Sequence, residues 1–72
     1  MKFTKVRKGE YKAEVRDGIS IWVVREGRQW VWFLGGYDVG LGAWKTDDVG
    51  PFDARSEAIA DALANYEIEL DA

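Results

Sequence analysis

The chain contains no cysteine and no histidine, a single proline, Pro51, and a single methionine, Met1. Without cysteine there is no disulfide staple, no thiol nucleophile and no thiolate metal site; without histidine there is no imidazole to move protons or bind zinc. Also missing is any apolar run near the roughly 20 residues that a membrane-spanning helix needs. The basic opening, Met1 to Lys8, has no apolar segment after it and does not read as a secretory signal. These absences set the expectation of a cytoplasmic protein, to which the lack of cysteine is suited.

What is present is 72 residues, 47% hydrophobic and 32% charged, the composition of one small globular domain over residues 1–72. A domain of this size buries only roughly 60% of the surface its unfolded chain exposes. Its core therefore has to come from large side chains: four Trp, three Tyr and three Phe. The net charge of −3 conceals an asymmetry. Residues 1–28 carry eight positive and four negative charges, whereas residues 29–72 carry two positive and nine negative. Such polarity either orients the protein on a partner or a second copy, or simply lets a basic sheet attract an acidic helix.

Residues 1–9 form a basic N-terminal arm, and period-two alternation begins after it. Tyr11, Ala13 and Val15 alternate with Lys12, Glu14 and Arg16, and Asp17-Gly18 is a hairpin turn signal. Ile19, Ile21 and Val23 then alternate with Ser20, Trp22 and Val24 up to a second turn at Glu26-Gly27. A third run, Gln29 to Leu34, is rich in β-forming residues and apolar on both faces. Residues 10–34 thus read as a three-stranded antiparallel meander. Residues 35–52 hold Gly35, Gly36, Gly40, Gly42 and Gly50 and read as a glycine-rich loop, with room for a short extra strand in 41–46. Asp53 is the expected N-cap of a helix over 53–66, with Ile59, Ala62, Leu63 and Tyr66 on one face and Glu57, Asp61 and Asn65 elsewhere. Residues 67–72 form a tail. The resulting class is α+β, a β-β-β-α domain with the helix packed on one face of the sheet.

One helix covers one sheet face. In the favoured register the helix-side face carries Tyr11, Ala13, Val15, Ile19, Ile21, Val23, Trp30, Trp32 and Leu34, while a shift of one residue in the second turn exchanges Trp30 and Trp32 for Val31 and Phe33. The opposite face then offers Trp22, Val24, Val31 and Phe33 as apolar anchors, rimmed by Lys12 and Arg16, and this is the candidate protein interface. Two covers within the chain compete with a partner for that face: Phe3 and Val6 of the arm, or the loop bearing Tyr37, Leu41 and Trp44.

Other chemistry finds less support. Trp44-Lys45-Thr46 lacks the glycine that a P-loop places before its lysine, and Gly40-Leu41-Gly42 lacks the third glycine of a dinucleotide fingerprint. Asp47, Asp48 and Asp53 match no calcium loop, Glu57 and Asp61 read as a solvated helical pair, and Ser20 and Ser56 have no histidine to activate them. No enzyme activity, cofactor or metal is expected. The rival to a protein interface is nucleic acid, bound by Lys2, Lys5, Arg7 and Lys8 of the arm together with Arg25 and Arg28 at the second turn. Against it stands the acidic overall balance, since affinity for a polyanion is built chiefly on neutralised phosphates.

Three strands followed by Phe52-Asp53-Ala54-Arg55-Ser56-Glu57-Ala58 opening a helix resemble the β-β-β-α layout of small phage and prophage accessory proteins. The same stretch is similar to the arm-site DNA-binding domain of tyrosine-recombinase integrases, whose sheet enters the major groove with polar and basic side chains. This chain departs from that domain by placing Trp22, Val24, Val31 and Phe33 on the free face, which turns the expectation from groove reading to protein binding. The phage resemblance implies a non-enzymatic module that binds and modulates a host or viral protein, such as a host-defence component, in the host cytoplasm. Self-association through the same face is a further expectation.

Overall fold

The computed structural model describes residues 1–40 and 42–71, and at Asp38 and Asp71 the backbone alone. Six strands and one helix follow in the order β1 (Thr4–Arg7), β2 (Glu10–Arg16), β3 (Ile19–Glu26), β4 (Gln29–Asp38), β5 (Gly42–Lys45), β6 (Val49–Phe52) and α1 (Arg55–Asp71). All strand pairs are antiparallel, running β1-β2-β3-β4-β5 across the sheet, with β6 also on β4. The α+β class and the single helix on one face agree with the sequence pattern, but the sheet has twice the expected three strands.

The meander forms in the favoured register. Tyr11, Val23 and Trp32 lie side by side across β2, β3 and β4, as do Ala13, Ile21 and Leu34. Ile21, Val23, Trp32 and Leu34 are fully buried with Ala58 and Ala62 of α1, and Phe3, Tyr11, Val15, Trp30, Trp44, Val49 and Phe52 pack around them. Burial of apolar area on this one face is the main stabilising term. Two hairpins close through Gly18 and Gly27, both at positive φ, which costs glycine no Cβ clash. The second turn is Gly27-Arg28, one residue beyond the expected pair.

Three segments differ from the sequence reading. The basic arm is paired: Thr4 and Lys5 oppose Lys12 and Tyr11, so β1 is an edge strand that turns into β2 at Lys8-Gly9. An exposed edge rich in lysine and arginine is one that resists pairing with other chains. The glycine-rich region is largely sheet, because β4 runs on through Gly35 and Gly36 and pairs with β5 at one end and β6 at the other. Thr46 spans the gap between those two strands: its N–H donates to the Leu34 carbonyl at 2.9 Å, and its hydroxyl accepts from the Leu34 N–H at 3.0 Å. Gly35 and Gly36 are close-approach positions. A Cβ at Gly35 would lie 3.1 Å from Trp22 Nε1, and one at Gly36 would collide with the Gly18 carbonyl oxygen. The expected short strand in 41–46 is β5, apart from Leu41, which lies outside the described residues.

The helix begins at Arg55. The Ala54 carbonyl accepts the first intrahelical bond from Ala58 N–H, so Ala54 takes the cap position expected of Asp53. The helix also absorbs most of the expected tail and runs to Asp71. Its inner face is Ala58, Ile59, Ala62, Tyr66 and Leu70. Leu63, expected on that face, is instead 45% exposed.

Candidate interaction surface

The face of the sheet away from α1 is built by the same alternation that builds the core. Lys12, Trp22 and Phe33 lie in one row across β2, β3 and β4, and Glu14, Ser20, Gly35 and Lys45 lie in the next. Trp22 and Phe33 stack with ring centroids 6.4 Å apart and planes 11° from parallel. Gly35 permits this, since its missing Cβ leaves the space into which the Trp22 indole edge fits.

Two ammonium groups flank the pair. Lys12 Nζ sits 5.4 Å from the Trp22 ring centroid, and Lys45 Nζ sits 4.4 Å from that of Phe33. Both distances fall within cation–π range. Lys45 also pairs with Asp48 at 2.9 Å. The two rings and the two lysines, with Glu14, Ser20, Tyr37 and Trp44, border an open concavity of about 440 Å³.

The sequence-predicted interface residues are only partly gathered here. Trp22, Phe33 and Lys12 meet as expected. Val24 is half-buried and borders a neighbouring hollow with Phe33, Lys8 and Arg25. Val31 is on this face but only 6% exposed, because the Gly50 backbone of β6 lies against it; a Cβ there would sit 3.2 Å from Val31 Cγ1. Val31 is therefore a packing residue, not an anchor. Arg16 is exposed beside the first turn and does not border the concavity. Its place in the rim is taken by Lys45, which sequence reading missed because it stood in an expected loop.

Of the two internal covers, Tyr37 and Trp44 border the concavity beside the aromatic pair, while Phe3 and Val6 do not. Phe3 and Trp44 pack on the helix-side core, Val6 is 38% exposed and Tyr37 is 67% exposed. Leu41 is outside the described residues.

The positive charges proposed for nucleic acid are dispersed. Lys2, Lys5, Arg7 and Lys8 follow edge strand β1 and its turn, all exposed, and Arg7 Nε pairs with Glu10 at 2.8 Å. Arg25 Nε donates to the Gly27 carbonyl at 2.8 Å, holding that side chain against the second turn, where Arg28 is exposed. Glu10 and Glu14 are interspersed on the free face itself.

The candidate carboxylates separate. Asp48 goes to Lys45, while Asp53 accepts from Gln29 Nε2 at 3.4 Å. Asp61 is not a solvated partner of Glu57: its Oδ2 accepts the Trp32 indole N–H at 2.8 Å, and Asn65 Nδ2 donates to its Oδ1 at 3.1 Å. Among the described residues no three carboxylates gather into a metal-binding group, and no helix is long and apolar enough to cross a membrane.

Fold and surface together define an α+β sandwich of one sheet and one helix with an open aromatic and cationic sheet face. No protein-family model, curated protein or solved structure matches the chain.

Proposed function

We propose that this protein is a non-enzymatic binding module whose working surface is the open sheet face, and that its partner is a protein with an acidic, partly apolar surface. The observation that carries this reading is the stacked Trp22–Phe33 pair flanked by Lys12 and Lys45. Two large rings held in place by neighbouring strands supply contact area with little entropy left to lose, and aromatic anchors dominate many protein interfaces. The lysines extend favourable contact to carboxylates around the rings. A regulator that occupies a site on a host or viral protein, as the phage-protein resemblance implies, needs no more than this.

Nucleic acid is the weaker reading. A base stacking on Trp22 or Phe33 has to displace the ammonium beside each ring, and a phosphate backbone on this face meets Glu10 and Glu14.

The experiment compares the natural chain, the double variant Trp22→Ala/Phe33→Ala and an Arg28→Ala control for retention of proteins from solution at low salt. The double variant is expected to keep the far-UV circular dichroism of the fold and lose binding by about a thousandfold, two anchors of about 2 kcal/mol each making about 4 kcal/mol. The control is expected to bind normally. Unchanged binding by the double variant overturns the surface, and unfolding would assign the two rings to the core. A gel shift with single-stranded DNA or RNA that disappears on neutralising Lys5, Arg7 and Lys8 would assign the protein to nucleic acid instead.

A further inference from the structure

The two layers of the molecule carry opposite charge. Residues 1–52, which form the sheet, hold nine positive and seven negative charges, a net +2; residues 53–72 hold Arg55 against six carboxylates, a net −5. On the open sheet face Lys12 has no ion pair among the described residues, whereas Lys45 holds Asp48 and Glu14 lies in the row next to Lys12. On α1 Glu57, Glu67 and Glu69 likewise have no ion pair among the described residues.

The outer face of α1 is also unfinished in apolar terms. At helical spacing Glu57, Ala60, Ala64 and Glu67 run down its exposed side, with Leu63, 45% exposed, on one flank and Ile68, 67% exposed, on the other. Small residues along the middle let this helix approach a flat surface closely. The sheet face is such a surface, with Ser20 and Gly35 beside the Trp22–Phe33 pair and an ammonium on either side.

We infer that the sheet face receives the outer face of α1 from a second copy of the chain, Leu63 and Ile68 lying against Trp22 and Phe33 while Glu57 and Glu67 meet Lys12 and Lys45. This rests on the open sheet face being the working surface. The contact joins two different faces, so it is heterologous. Because the two faces lie on opposite sides of the sandwich, a pair of copies cannot satisfy both at once, and the association runs on from copy to copy instead of closing as a two-fold dimer. Charge steering makes it sensitive to salt.

The test measures mass by sedimentation from micromolar to millimolar concentration at low salt, using the full chain and two charge-reversed variants. The natural chain is expected to exceed its monomer mass of 8.2 kDa progressively. Lys12→Glu/Lys45→Glu, which lacks the sheet side, and Glu57→Lys/Glu67→Lys, which lacks the helix side, are each expected to remain monomeric with unchanged circular dichroism. Mixed in equal amounts they pair the intact helix face of one with the intact sheet face of the other, and the reversed helix face with the reversed sheet face, so they are expected to regain the progressive association of the natural chain. Three results overturn the inference: a natural chain that stays monomeric at millimolar concentration, association unaffected by the helix variant, or a mixture no heavier than its parts. If the sheet variant unfolds, loss of self-association by the folded helix variant alone still separates helix-to-sheet from sheet-to-sheet contact. A monomeric chain whose binding of other proteins still depends on Trp22 and Phe33 removes the self-contact and leaves the binding module standing.

Discussion

Trp32 shows how one side chain sets conditions for others. It is 1% exposed at the centre of the core, where its indole N–H needs an acceptor, and Asp61 supplies one at 2.8 Å while Asn65 holds the carboxylate in turn. Replacing Asp61 by Ala leaves that donor buried without a partner, an expected loss of about 1–3 kcal/mol in urea unfolding. Asp61→Asn keeps an acceptor oxygen and is expected to lose less; equal losses would show that the bond contributes nothing. Gly36 is the other residue with no substitute. A Cβ there meets the Gly18 carbonyl and the Trp44 ring, and because one of these is backbone the strain has no cheap release. Gly36→Ala is expected to cost about 1–3 kcal/mol or more, whereas Gly27→Ala, with open space around it and only its positive φ to strain it, should cost about 1–2 kcal/mol.

Among the elements, β4 organises the sheet. Its ten residues pair with β3 along one edge and with β5 and β6 along the other, so its side chains stand at the centre of both faces. Trp32 and Leu34 enter the core, while Phe33 stands on the open face between Trp22 and Lys45. The helix is placed by its smallest residues: Ala58 and Ala62 are fully buried, which brings α1 close to β3, β4 and β6 and turns Leu63 outward. Thermal unfolding checks this orientation. Leu63→Ala is expected to change stability by under about 1 kcal/mol, and Ala62→Leu to cost about 1–3 kcal/mol by overpacking. The reverse order would mean that the helix is rotated about its axis.

At the scale of the whole molecule, a basic sheet layer backs onto an acidic helix layer, and the helix lies opposite the face left open. This arrangement makes salt a discriminating variable. Raising ionic strength to about 1 M shortens the screening length to about 3 Å. Self-association and acidic-partner binding are expected to fall steeply over that range while circular dichroism stays constant, because the core is apolar and unscreened. Binding that persists at high salt would put the weight of the interaction on the aromatic pair instead of on Lys12 and Lys45.

The sequence by itself determined the meander and the alternation of its residues from Tyr11 to Leu34, which is a local property. The register across the second turn was open to a one-residue shift, and the packed structure decided it by placing Trp32 and Leu34 in the core and Phe33 beside Trp22. Hence Trp22 and Lys12 on the face away from the core were legible in advance, and Phe33 beside them in one of the two registers. The helix was legible too, but not its exact face, since Leu63 and Ala62 differ by one position and only packing against Trp32 decides which turns inward. Strands β1, β5 and β6 were hidden because short strands among charged or glycine-rich residues are made by their partners rather than by their own propensity. Gly35 and Gly36 look like a flexible loop in one dimension; in three they are where an indole and a carbonyl come too close for any Cβ. With those strands unseen, Lys45 had no place beside Phe33 and Val31 had no cover. Tertiary structure alone decided that one lysine completes the surface and one valine leaves it, because both depend on residues far along the chain being brought onto the free edge of β4.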